Sequence, residues 1–172
     1  MDLLNDQLIY PAAKKTYTLK SSDGQTFQID IKSLERSRLA SELLKSFQDE
    51  TEIPLPEVEG KTLKRIVEYL LHYKERQPRD IPKPLRDPKL DKVLDKWDYD
   101  FIIGVSMPDC IDLINAANYM EIDSLLRLGC ARLAARMIEL PLEEVQKTFG
   151  IECDMSEEEA SQFDKYNLTS KK

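Results

Sequence analysis

One histidine, His72, and three cysteines, Cys110, Cys130 and Cys153, are the side chains here best suited to nucleophilic or metal chemistry. Nucleophilic catalysis needs a Ser or Cys held beside a base, and one imidazole allows one such arrangement at most. His72 lies in an apolar-periodic stretch without a Ser or Cys nucleophile motif beside it. It reads as a surface or packed structural histidine. The cysteines stand about twenty residues apart and form no CxxC or CxxH spacing, so they suggest no metal site. They are expected as small buried hydrophobes in a reducing compartment, the cytoplasm or nucleus. No GxGxxG or GxxxxGKS/T run occurs, and with five glycines a phosphate-cradling loop is not expected. Nothing singles out an acid–base pair among the 32 Asp and Glu residues. A binding module with no cofactor is expected, rather than an enzyme.

The bulk properties agree. A length of 172 residues suits one domain, or one domain with an extension. With 41% hydrophobic residues the chain can build a core, and with 33% charged residues it keeps a solvated surface. No run approaches the ~20 apolar residues of a membrane-spanning helix. The start, Met1-Asp2-Leu3-Leu4-Asn5-Asp6, lacks the pattern of a signal peptide, so no membrane insertion is expected. A net charge of −7 argues against a broad nucleic-acid footprint.

The elements that would position a binding surface follow from period and punctuation. Residues 1–13 show no period and read as a flexible arm. Tyr17 and Leu19, then Phe27, Ile29 and Ile31, alternate with polar residues around Asp23-Gly24, which predicts a hairpin. Leu39, Leu43, Leu44 and Phe47 fit a helix face. Ile53-Pro54-Leu55-Pro56 suits a short edge strand. Leu63, Ile66, Val67, Leu70 and Leu71 follow helical spacing, with Thr62 as the expected N-cap. Residues 77–96 carry Pro78, Pro82, Pro84 and Pro88 among charges and few apolar side chains. They read as a mobile loop outside the core.

Trp97, Phe101 and Ile102 suggest a short helix ending near Gly104. Ser106 and Pro108 open the next, which carries Ile111, Ile114, Ala117 and Asn118. Asp123 reads as a further N-cap, followed by Leu126, Cys130, Leu133 and Met137 in one stripe. Gly129, Ala131, Ala134 and Ala135 would let another helix approach closely. Pro141 breaks the pattern, Val145 and Phe149 share a short helix ending at Gly150, and Ser156 with Glu159 forms a capping box. Strands early and helices late make an α+β fold, a small sheet with packed helices. Residues 139–164 hold nine acids against Lys147 alone, so the rest of the chain carries a net +1. Apolar Val145, Phe149 and Ile151 inside so acidic a segment point to a partner.

Five blocks, in order, carry a resemblance. They are Ser21–Phe27; Ile53–Val58 with Gly60–Leu63; Trp97–Phe101; Leu113–Ile122; and Lys147–Ile151. The chain resembles the S-phase kinase-associated Skp family, the adaptors of SCF ubiquitin ligases. The resemblance covers about residues 16–160. It implies a BTB/POZ-like core over residues 14–140 and a C-terminal F-box-binding extension and tail over residues 141–172. Elongin C shares that core but lacks the extension, so the acidic tail speaks against that relative.

The resemblance also implies two partners, a cullin and an F-box protein. Asn118 and Tyr119 match the family's cullin-contacting pair. Leu126, Cys130, Leu133 and Met137 resemble its F-box-facing stripe, and Val145, Phe149 and Ile151 match the anchors of its extension. Residues 141–166 are expected to be poorly fixed until a receptor binds. Departures fall in the extension: Glu139-Leu140-Pro141-Leu142 replaces Gly-Lys-Thr-Pro, Met155 replaces a Phe, and the terminal Trp is missing. Two roles fit, an SCF adaptor without chemistry of its own, or a structural subunit using the same F-box-binding surface in a non-ligase assembly.

Overall fold

The computed structural model of the chain describes residues 16–46, 51–85, 87–150 and 158–159. The hairpin forms where alternation and turn chemistry place it. Strand β1 (Thr16–Ser21) pairs antiparallel with β2 (Thr26–Asp30), from Thr16 opposite Asp30 to Lys20 opposite Thr26. Tyr17, Leu19 and Ile29 face the core. Gly24 turns at a φ of 82°, a conformation that L side chains rarely adopt. The alternation suggested a strand reaching Ile31, but the strand stops at Asp30. That carboxylate accepts the Ser33 N–H at 3.3 Å and the Ser33 hydroxyl at 3.0 Å, capping helix α1 (Ile31–Leu34). Ile31 is left 44% exposed.

Helix α2 (Arg38–Ser46) leads towards β3 (Glu52–Leu55), which runs parallel to β1 and completes the order β2-β1-β3. Pro54 is tolerated because β3 is an edge strand, where one face of the backbone needs no donor. Helix α3 (Gly60–His72) buries Leu63, Ile66, Val67, Tyr69 and Leu70, while Leu71, expected on the apolar face, is exposed. Its start differs from expectation. Glu59, not Thr62, is the N-cap residue, and it makes no side-chain cap bond. The Gly60 N–H instead donates to Asp23 Oδ1 of the hairpin turn at 3.0 Å. A residue 37 positions away in sequence does the work assigned to a local threonine.

The segment 77–96 also differs from its reading as a loop outside the core. Ile81, Leu90 and Leu94 are buried in the main core, and Leu85 and Val93 pack against it. Leu90–Val93 forms the single-turn α4. Isolated apolar residues among prolines and charges produce no period, so their burial leaves no pattern to read. Helix α5 (Lys96–Ile103) follows and ends at Gly104. It brings Trp97 and Phe101 to Tyr69 and Tyr73 of the α3 end. His72 stacks on Trp97 with ring centroids 3.7 Å apart and planes 4° from parallel, a packed structural histidine.

Helix α6 (Met107–Tyr119) starts at the expected cap: Ser106 Oγ accepts the Asp109 N–H at 3.3 Å, and Pro108 sits in the first turn. Helix α7 (Asp123–Glu139) approaches α6 closely at Gly129, as the small residues suggested. Pro141 separates α7 from α8 (Leu142–Phe149), which ends at Gly150 in the left-handed region, φ 63°. The chain divides into two compact units, residues 1–135 and residues 136–172. Among the described residues no helix is long and apolar enough to cross a membrane, and no His/Cys/Asp/Glu group could hold a metal.

Candidate functional site

The last turn of α6 presents the first candidate surface. Asn118 is exposed, and its backbone carbonyl accepts the Glu121 N–H at 3.1 Å. That carbonyl helps close the helix, and the side-chain amide of this exposed residue can both donate and accept hydrogen bonds. Glu121 follows at a φ of 52°, so the chain turns sharply away after the helix. Tyr119 is half-buried and lines an apolar pocket of about 330 Å³ with Leu39, Leu43, Leu44, Ile53 and Pro54. Partial burial raises the Tyr119 phenol above its ordinary pKa, and the nearby Glu57 carboxylate adds to the rise. The hydroxyl therefore stays protonated, able to donate a hydrogen bond. Helix α2 and β3 supply most of this pocket, and neither was singled out from sequence as part of a surface. The helical period of Leu39 and Leu43 was visible, but not that they line a pocket.

Helix α7 presents the second. Leu125, Leu128, Ala131 and Ala135 are buried on one face. Leu126 and Leu133 are half-buried, and Cys130 is exposed. In the second unit Met137 is 43% exposed. Among the described residues, the stripe of Leu126, Cys130 and Leu133 in the first unit thus lacks a full cover. All three cysteines were expected to be buried, but the two described ones differ in environment. Cys110 is buried against the Gly129 carbonyl, and burial pushes its thiol up to about 11. Cys130 is exposed on the uncovered stripe, and Cys153 lies outside the described residues.

A groove of about 420 Å³ adjoins that stripe, lined by Leu126, Cys130, Ala131 and Ala134 and by residues 81–85. Pro82, Pro84 and Leu85 were read as part of a mobile loop, and nothing in a proline-rich segment without an apolar period marked them as the wall of a groove. In the second unit, Val145 of α8 is buried at 7% exposure rather than open to a partner. Ile151, Phe47, Met155, the arm over 1–13 and Ser156 of the capping box lie outside the described residues, as does the side chain of Phe149.

Two family models match the chain. The Skp1 family, tetramerisation domain, matches residues 15–75, and the Skp1 family, dimerisation domain, matches residues 123–167. The first spans the sheet and α1–α3; the second opens at the first residue of α7. Asn118 and Tyr119 fall between them. The chain is 32% identical to the S-phase kinase-associated protein 1 homolog of Tetrahymena thermophila, over 87% of this chain and 90% of that one. It is 35% identical to the E3 ubiquitin ligase complex SCF subunit sconC of Arthroderma otae, over 91% and 94%. The protein of the same name in Aspergillus fumigatus is 34% identical over 88% and 96%.

Proposed function

The chain belongs to the Skp1 family, and on that premise we propose that it is a non-catalytic adaptor joining an F-box substrate receptor to a cullin scaffold in an SCF-type E3 ubiquitin ligase. The observation that carries the reading is the apolar stripe of Leu126, Cys130 and Leu133, incompletely covered among the described residues; Met137 continues the same helical spacing in sequence. It lies within the stretch matched by the family's dimerisation domain. Apolar side chains at helical spacing normally turn inward; these stay accessible and would gain free energy by leaving water at an interface. The extension would add Phe149 and Ile151 to the F-box surface.

An adaptor must hold two partners at once. The pocket at Tyr119 and the groove along α7 have no lining residue in common, so one can be filled without emptying the other. Tyr119 offers a large flat contact with a polar tip, and Asn118 adds hydrogen bonds at the rim. This favours the Asn118–Tyr119 end of α6 as the cullin contact. The BTB/POZ-like core then serves as a spacer between two docking surfaces in the cytoplasm or nucleus, and chemistry is left to other subunits.

Affinity purification of the full chain, with identification of bound proteins, tests the reading. Recovery of F-box proteins together with a cullin is expected. F-box proteins without any cullin would favour the structural subunit of a non-ligase assembly. Recovery of neither would overturn the adaptor role.

A further inference from the structure

A helix stripe is convex, and it offers a partner a flat or ridged contact rather than a socket. On α7 this changes between Leu126 and Ala134. Leu126, Cys130 and Ala134 are spaced i, i+4 and i+8 and line one side of the groove of about 420 Å³. Pro82, Pro84 and Leu85 line it together with them. The two prolines carry no N–H, so this wall offers ring carbons and carbonyls but few donors. Lys83, Asp123 and Arg127 are its charged lining residues, and Arg127 is already paired with Asp80 at 3.0 Å. The volume falls within the range of roughly 300–1,000 Å³ typical of sites that seat a ligand.

We propose that this groove seats one bulky apolar side chain of the F-box receptor, which makes Pro82, Pro84 and Leu85 selectivity-determining residues of the receptor surface. The inference rests on the adaptor reading. The observation that selects this occupant is continuity: Leu126 and Cys130 belong both to the groove and to the stripe assigned to the F-box protein. A receptor laid along that stripe would pass over the groove. A protruding Leu, Met or Phe would fill it and leave water, and interface hot spots cluster in such desolvated pockets. A charged side chain would lose hydration against walls that offer few hydrogen bonds.

The test uses the full chain and an F-box domain that the wild-type chain retains in a pull-down, with affinities from calorimetry. Leu85→Ala opens one wall and should weaken binding by about tenfold. Each apolar residue of the F-box domain is then replaced by alanine and measured against wild type and Leu85→Ala. One position should lose about tenfold against wild type but little against Leu85→Ala, because contacting residues do not contribute additively. Pro82→Ala, at an exposed position, is the second variant and should also weaken binding while leaving the melting temperature unchanged; it decides the matter if Leu85→Ala fails to fold. Wild-type affinity in the folded variants, or additive losses at every position, would overturn the groove and leave the adaptor reading standing. A wild-type chain that retains no F-box domain would overturn both.

Discussion

Gly129 of α7 stands so close to Ile114 of α6 that a Cβ at position 129 would lie 2.4 Å from Ile114 Cγ1. The contact matters because α6 carries Asn118 and Tyr119, while α7 carries Leu126, Cys130 and Leu133. Gly129 sets how closely the two helices bearing the candidate surfaces approach. Ile114 Cγ1 is attached directly to the branched Cβ, whose rotamers are restricted, so it cannot swing away cheaply. Overpacking costs about 1–3 kcal/mol, while alanine regains about 0.8–1.0 kcal/mol of helix propensity over glycine. Gly129→Ala should therefore lower stability by up to about 2 kcal/mol, or up to several degrees in melting temperature for a chain of this size. An unchanged calorimetric melting point would show that Ile114 repacks freely.

Asp98 is 4% exposed and accepts a 2.6 Å hydrogen bond from the Tyr73 hydroxyl. Burial raises its carboxyl above the ordinary value of 3.8, and Asp95 adds to the rise; the Tyr73 bond and His72 oppose it. Burial also drives the Tyr73 phenol well above its ordinary range, so it remains the donor. Between the unfolded and the raised folded value the native state binds more protons than the unfolded state, so this group's contribution to stability falls as pH rises through that window. An Asp98→Asn variant has no such titration. Chemical denaturation from pH 3.5 upward should show wild type losing stability relative to Asp98→Asn and then levelling off. A parallel pH dependence in both would remove Asp98 from the account.

Ile81 is 8% exposed within the main core. Ile81→Ala should cost about 2–5 kcal/mol, the usual range for a buried aliphatic truncation. Were the segment loosely tethered, the cost would stay within about 0.5 kcal/mol. Deleting 79–92 would remove both Ile81 and Leu90, so the weak dependence of closure entropy on loop length no longer governs that deletion. Urea titration of both variants measures the difference.

Asn118→Ala with Tyr119→Ala should weaken cullin binding by at least about 2 kcal/mol if the pair is a central hot spot. The same protein should bind an F-box domain as well as wild type does, since neither residue lines the α7 groove. Surface-immobilised cullin N-terminal region and F-box domain, tested in parallel, separate the outcomes. Equal loss for both partners would indicate a folding defect, and undiminished cullin binding would remove the assignment.

Much of this was legible from residues alone. The alternation around Asp23-Gly24 places the hairpin, helical spacing places α3 and α7, and Ser106, Pro141 and Gly150 mark helix ends within a residue or two. The chain's poverty in His, Gly and paired nucleophiles directs attention from catalysis to binding, and the ordered blocks from Ser21 to Ile151 carry the family. These are properties of near neighbours: a period, a cap or a φ > 0 turn is written into a few consecutive residues. What lay beyond reach depends on which surfaces meet. Asp23 serves α3 because the hairpin turn lies at Gly60; Ile81, Leu90 and Leu94 are buried because their segment joins the main core. Cys130 is exposed although its type is usually buried, and Pro82, Pro84 and Leu85 line a groove only because their segment runs beside α7. Local chemistry marks helix ends such as Ser106 and Gly150, but burial, and the cap that Asp23 lends to α3, are decided by partners distant in sequence, and only tertiary structure brings those together.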